Sequence, residues 1–273
     1  MVRRSRRQTS ILRIAAVAPL ALLTAALALL TNAAGAGPME RERARSWPTG
    51  EQRELLLAPD HPEWGRAAPD VFRARFTTSK GDFVVEVHRD WAPIGADRFY
   101  NLVRHGFYDD TRVFRIRAGV FAQFGLSGDP TVNAVWYGRA IRDDPRIESA
   151  RRGRVFFAMR GPDDRTTQVV INLRDNPDYD EQGFVPFGEV IEGMDVVDSL
   201  YSGYGEAAGG GMRGGNQGQI VAEGNAHLDA DFPLLHRIHR AVIEPPRVYD
   251  ADGNLIRRPD PDHSRWQRQR LAP

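Results

Sequence analysis

Arg115 and Gln123 are the two side chains whose type and setting could do chemistry. They lie in the stretch V-F-R-I-R-A-G-V-F-A-Q-F-G, residues 113–125, where two short apolar runs flank Gly119. A residue without a Cβ there marks a turn or bulge. Each run embeds one long polar group among residues that favour burial. A buried donor left unpaired costs ~1–3 kcal/mol, so both groups ask for a partner, either structural or a substrate. Taken alone, an arginine on a strand reads as a solvated or structurally paired charge, since arginine is mostly exposed. Gln123 taken alone reads as a core amide satisfying backbone groups.

Composition narrows the choice. The chain has 273 residues, 41% hydrophobic and 27% charged, enough for one sizeable core with flanking segments. The net charge of +1 argues against an electrostatic nucleic-acid binder. Lys80 is the single lysine among 37 basic residues, a bias of composition more than of function. No cysteine is present, which excludes disulfides, thiolate metal sites and a cysteine nucleophile.

The elements that must carry the two polar groups can be read in order. Arg3, Arg4, Arg6 and Arg7 precede an apolar run from Ile14 to Leu30 and the small residues Ala34-Gly35-Ala36. This is the layout of a secretory signal peptide cleaved after Ala36, with an uncleaved anchor as the alternative. Residues 37–69 read as a linker interrupted by prolines, although Glu54 to Leu57 could form a short helix or docking strip. Val71 to Val87 alternates around Lys80-Gly81-Asp82 as a β-hairpin. Phe99, Leu102 and Val103 share one helical face that stops at Gly106. Residues 126–152 read as loop. Residues 154–159 and 167–172 read as strands, 196–200 as a short helix, and the glycine-rich stretch to Gly218 as a flexible loop. Residues 244–273 read as a mobile tail.

Four segments together resemble the cyclophilin-type peptidyl-prolyl isomerases. Residues 113–125 are similar to the pattern F-x-R-[IV]-x-x-G-F-x-x-Q-G-G. Ala92-Pro93 through Gly106-Phe107-Tyr108-Asp109 follows A-P-x-x-[VA]-x-N-F-x-x-L-x-x-x-G-[FY]-Y-[DN], with Arg98 where Asn is usual. Phe157-Ala158 and residues 167–171 follow [LM]-A-x-x-x-x-x-x-x-x-S-Q-F-F-I. Residues 184–197 follow V-F-G-x-V-x-x-G-M-[DE]-V-[VI]. The resemblance implies a mainly β fold over residues 70–243: a closed eight-stranded antiparallel barrel capped by two α-helices, whose closure removes exposed edges.

The resemblance also implies an activity, cis–trans isomerisation of X–Pro bonds in exported polypeptides, without cofactor or metal. Arg115 would then be the donor to the prolyl nitrogen, and Gln123 would bind the substrate backbone and hold Arg115. Val120, Phe121, Phe124, Gln168, Val170, Tyr179 and Phe184 would form the substrate-binding groove. Partners implied are unfolded or flexible proline-containing polypeptides, with no nucleic acid, no stable membrane contact beyond the signal peptide, and a monomeric chain. Export places it in the periplasm or outside the cell.

Departures from the family pattern shape a second reading. Val120 and Val170 stand where aromatic rings are usual, and Phe124 replaces a glycine. Each Phe-to-Val change removes apolar contact worth on the order of 1 kcal/mol. Phe124 is expected to refill the space. The alternative is therefore a non-catalytic proline-peptide-binding or holdase module with a degenerate groove. A structural envelope protein acting through residues 37–69 and 244–273 is the third reading.

Two weaker signals are set aside. Gly203-Tyr204-Gly205-Glu206-Ala207-Ala208 imitates a dinucleotide loop but follows a helix and not a strand. His236 and His239, near Asp229 and Asp231, fix no metal-ligand geometry and read as surface.

Overall fold

The computed structural model describes residues 50–246, 248–249 and 255–257. The signal-peptide expectation for residues 1–36, the first part of the linker and most of the tail lie outside the described residues. Among those described, no helix is long and apolar enough to cross a membrane.

Two long strands begin the domain. β1 (Val71–Thr78) and β2 (Gly81–His88) pair antiparallel with Phe76 opposite Phe83, the hairpin expected from the period-two pattern. Helix α1 (Gly50–Leu56) precedes them and α2 (Pro93–Arg104) follows. Then come β3 (Thr111–Arg112), β4 (Arg115–Arg117), β5 (Phe121–Phe124), α3 (Pro130–Trp136), β6 (Arg154–Phe157) and β7 (Val169–Asn172). Helix α4 (Asp178–Glu181), β8 (Pro186–Glu192) and α5 (Met194–Asp198) lead to the glycine-rich segment. The short helices α6 (Gly218–Glu223) and α7 (Asn225–Asp231) and strand β9 (Arg237–Ile243) complete the domain. Beyond it β10 (Val248–Tyr249) and β11 (Leu255–Arg257) pair with each other.

The nine strands β1–β9 form one antiparallel sheet in the order β3-β9-β1-β2-β8-β6-β7-β5-β4. This corrects the expected closed barrel of eight strands: the ladder is open and has nine. β3 and β4 stand at its two ends and are not bonded to each other. They are successive stretches of one chain, separated by Val113 and Phe114, so the backbone crosses the gap where no ladder does. The reason lies in Phe114, which is fully buried in a side cluster with Leu126, Ile220 and Leu228 and draws the chain out of register. The expectation of two capping helices is also too few, since seven α-helices lie among the described residues.

Alternation sorts the strand residues. Phe76, Phe83, Val85, Val87, Ile116, Ala122, Phe124, Val155, Phe157, Val169 and Ile171 face one interior cluster, to which α2 adds Phe99, Leu102 and Val103. Burying such side chains is worth ~1.5–3 kcal/mol each, which is why the sheet curls around them.

Two segments differ from the expected loops. Residues 126–152 contain α3, begun by Asp129, whose carboxylate accepts from the Thr131 N–H, with Pro130 in the first turn. Within the span read as linker, α1 buries Leu56, whose carbonyl accepts from Trp136 Nε1 at 2.7 Å. Trp64 packs edge-on against Trp136 with ring centroids 4.5 Å apart.

Candidate functional site

Arg115, Gln123, Val170 and Phe156 form one row across four strands. Arg115 pairs with Gln123, Gln123 with Val170, and Val170 with Phe156. Because Ile116, Ala122 and Ile171 point inward, this row stands on the outer face of the sheet. The next row sets Arg117 against Phe121 and Phe121 against Asn172.

An apolar patch lies on this outer face, separate from the interior. Val120, Phe121, Ala150, Phe156 and Val170 make its floor, with Ala158, Tyr179 and Phe184 packed against it. Val120, Phe121 and Val170 keep 5–8% exposure, whereas most of the interior is sealed. Phe184 and Tyr179 rings sit 5.1 Å apart, each also touching Phe156, so they wall one side. Burial raises the Tyr179 hydroxyl above its ordinary pKa, and the charges of Arg117 and Arg115 oppose that rise.

Arg115 overhangs this patch. Its guanidinium carbon lies 4.8 Å from the centre of the Phe121 ring, a cation–π distance. Nη1 donates to Gln123 Oε1 at 2.8 Å, and Nε donates to Glu206 Oε2 at 3.0 Å. Nη2 also donates to Glu206, completing an ion pair. The Arg115 side chain keeps 13% exposure and Glu206 25%, so the pair sits at the rim and is not enclosed in the interior. A guanidinium has five N–H groups, and these contacts use three. One N–H on each terminal nitrogen remains to meet a ligand.

Gln123 is engaged at both ends. Its Nε2 donates to Gln168 Oε1 at 2.8 Å, and the residue keeps 3% exposure. Gln168 in turn exchanges hydrogen bonds with Gln217 at 2.9 and 3.0 Å. Gln123 therefore holds Arg115 and keeps a second amide N–H for a substrate backbone, while the half-buried Gln168, engaged at both ends too, is the amide nearer solvent. Phe124 is corrected. It follows Gln123 on β5, so it points to the opposite face, where its ring meets Phe76 and Tyr108, both centroids at 5.5 Å. It refills nothing in the patch.

Val120, Phe121, Gln168, Val170, Tyr179 and Phe184 are brought together with Arg115, and Phe124 is not. Two participants escape sequence reasoning, Glu206 and Gln217. Both lie in the glycine-rich stretch, and the signal available was the single acid in Gly203–Ala208, which stood out only as a failed nucleotide motif.

A family model described as "Cyclophilin type peptidyl-prolyl cis-trans isomerase/CLD" matches residues 73–212. The chain belongs to the cyclophilin family. Among curated cyclophilin relatives, it is 32% identical over 126 residues to "Peptidyl-prolyl cis-trans isomerase-like 1" of Rhizopus delemar, covering 44% of this chain and 74% of that one. It is 28% identical over 134 residues to "Peptidyl-prolyl cis-trans isomerase B" of Escherichia coli, covering 46% of this chain and 81% of the other. Among solved structures, a Cryptosporidium parvum cyclophilin type peptidyl-prolyl cis-trans isomerase aligns at 22% identity and a TM-score of 0.47, over 64% of this chain and 99% of that one. The matched span holds Arg115, Gln123, the apolar patch and Glu206, and it ends before Gln217.

Proposed function

We propose that this cyclophilin is a peptidyl-prolyl cis–trans isomerase acting on X–Pro bonds of flexible or unfolded segments. Rotation about that bond breaks no covalent bond. The obstacle is amide resonance, a barrier of ~18–20 kcal/mol. In the twisted amide the prolyl nitrogen regains its lone pair, so a donor aimed at it stabilises the transition state over either planar state. Arg115 supplies such a donor, because its guanidinium stays charged and presents a rigid fork. Val120, Phe121 and Val170 offer the apolar floor for the pyrrolidine ring, and Gln123 and Gln168 each keep one amide N–H for the neighbouring backbone.

The observation that carries this reading is the guanidinium held 4.8 Å over the Phe121 ring, with two N–H groups unused, beside the apolar patch of Val120, Phe121 and Val170. A protease-coupled isomerisation assay on the full chain tests it. Arg115→Ala should lower kcat/KM by ~10²-fold, the loss usual when one transition-state donor is removed. If neither protein exceeds the uncatalysed rate, a peptide-binding module without the activity remains, the reading favoured by Val120 and Val170 in place of larger rings.

Export, cleavage after Ala36 and a monomeric chain belong to the same proposal. The basic residues Arg3 to Arg7 ahead of the apolar run support export. Terminal sequencing of the protein recovered outside the cytoplasm should begin at Gly37; an intact Met1 terminus in that fraction would rule cleavage out.

A further inference from the structure

The glycine-rich segment between α5 and α6 is pinned to β4 and is not a free loop. The Ile116 N–H donates to the Gly205 carbonyl at 3.0 Å, fixing the segment alongside the strand that carries Arg115. Just beyond, Ala207–Gly209 makes a 3-10 turn, and the N–H groups of Gly209 and Gly211 both return to the Glu206 carbonyl at 3.1 and 2.9 Å. The backbone around Glu206 is therefore wound tight. Gly209 lies so close to the strand that a Cβ there would stand 2.5 Å from Arg115 Cβ. Its lack of a side chain is what admits the stem of Arg115 beneath the turn.

A closed circuit of side-chain hydrogen bonds runs through this contact. It starts at Glu206, passes to Arg115, Gln123, Gln168 and Gln217, and returns through Gln217 Nε2 to the Gly209 carbonyl at 3.4 Å. Both ends of the circuit sit in the same segment, three residues apart. Gln123 holds one terminal nitrogen of the guanidinium and Glu206 holds Nε together with the other. Two anchors on different nitrogens fix the plane of the group, which one anchor cannot do.

We propose that Glu206 is a positioning residue for prolyl isomerisation: its carboxylate fixes the plane of the Arg115 guanidinium through Nε and Nη2, so that the unused N–H groups address the substrate. This rests on the isomerase reading above. An arginine free to turn about its long stem presents those N–H groups in the reactive orientation only part of the time. Glu206 acts through Arg115 and itself touches no reacting atom.

The test uses the full chain and a proline peptide, with kcat and KM separated. Glu206→Ala should lower kcat about tenfold with KM little changed, while Glu206→Gln, which keeps an acceptor at the same place, should retain most of the rate. The double variant Arg115→Ala, Glu206→Ala should be no slower than Arg115→Ala alone. Gly209→Ala provides a second probe that leaves both charges in place. Its methyl would stand 2.5 Å from Arg115 Cβ, an atom fixed to the backbone, so the turn that carries Glu206 must move off β4; kcat should fall in a variant that stays folded by circular dichroism with a lowered melting temperature. The proposal is overturned if Glu206→Ala matches or exceeds the parent rate, or if Glu206→Gln is as slow as the alanine variant. A further slowing on the Arg115→Ala background overturns it too. The isomerase reading itself fails if the parent does not exceed the uncatalysed rate, and the donor role of Arg115 fails if Arg115→Ala keeps the parent rate; both results are distinguishable from all the others.

Discussion

At position 123 an amide has both ends engaged, one by a charge and one by another amide. Gln123→Leu would leave Arg115 Nη1 without its present partner and take from Gln168 Oε1 one of its two donors, at a position only 3% exposed. The expected loss is ~1–3 kcal/mol of stability, read by denaturant unfolding. Isomerisation should slow as well, since Arg115 would keep only its Glu206 anchor. Unfolding at the parent midpoint would mean that the amide chain contributes nothing net. The same logic separates Arg115 from Arg165, which is paired with Asp143 and Asp144 and sealed from solvent. Type and motif do not distinguish an arginine that meets a ligand from one that holds a loop; exposure and the number of free N–H groups do.

Elements decide which way each side chain faces, and here the strand period is the whole argument. Phe121 and Phe124 lie three apart on β5, so they occupy opposite faces, one under Arg115 and one among Phe76 and Tyr108. Phe124→Ala should therefore cost ~3–5 kcal/mol in stability through an interior cavity. KM for a proline peptide should change little, a pairing that a groove residue would reverse. This face assignment was available from the sequence: Gln123 outward requires Phe124 inward. The hairpin 71–88 and helix α2 were legible from the period of their apolar residues, and strands β6 and β7 from short unbroken apolar runs. Helix α3 was not legible. Pro130 reads as a breaker until Asp129 is seen as the cap and the proline as the first-turn residue that lacks only an orphan N–H. The circuit from Glu206 to Gln217 was illegible for another reason. It joins residues 91 positions apart at Arg115 and Glu206, and no local pattern marks such a pairing.

Across the whole molecule the segment before β1 belongs to the fold. Leu56 is buried in the main cluster and Trp64 packs edge-on against both His105 and Trp136. Leu56→Ala should destabilise the full chain by ~2–5 kcal/mol in denaturant titration, whereas a mere linker would show no change. His105 reports on the same contact. Burial, then the charge of Arg104, depresses its imidazole to a pKa of about 4. The unfolded value is about 6.5, so the fold holds the ring neutral. Stability from this source is complete above about pH 6.5 and is lost as pH falls toward 4, by on the order of 2–3 kcal/mol. In His105→Gln the slope of melting temperature against pH should flatten over that window; an unchanged slope would assign the acid sensitivity elsewhere.

The open ladder has a seam, and the Arg115 guanidinium stands on it. β4 has a partner strand on one flank only, and on the other, among the described residues, its one backbone hydrogen bond is Ile116 to Gly205, beside the side-chain pair of Arg115 with Glu206. Amide protons of β4 should therefore exchange with deuterium sooner than those of β1 and β2, which are flanked on both sides. Warming would then loosen the donor before it loosens the interior, and turnover would fade several degrees below the temperature at which the domain melts.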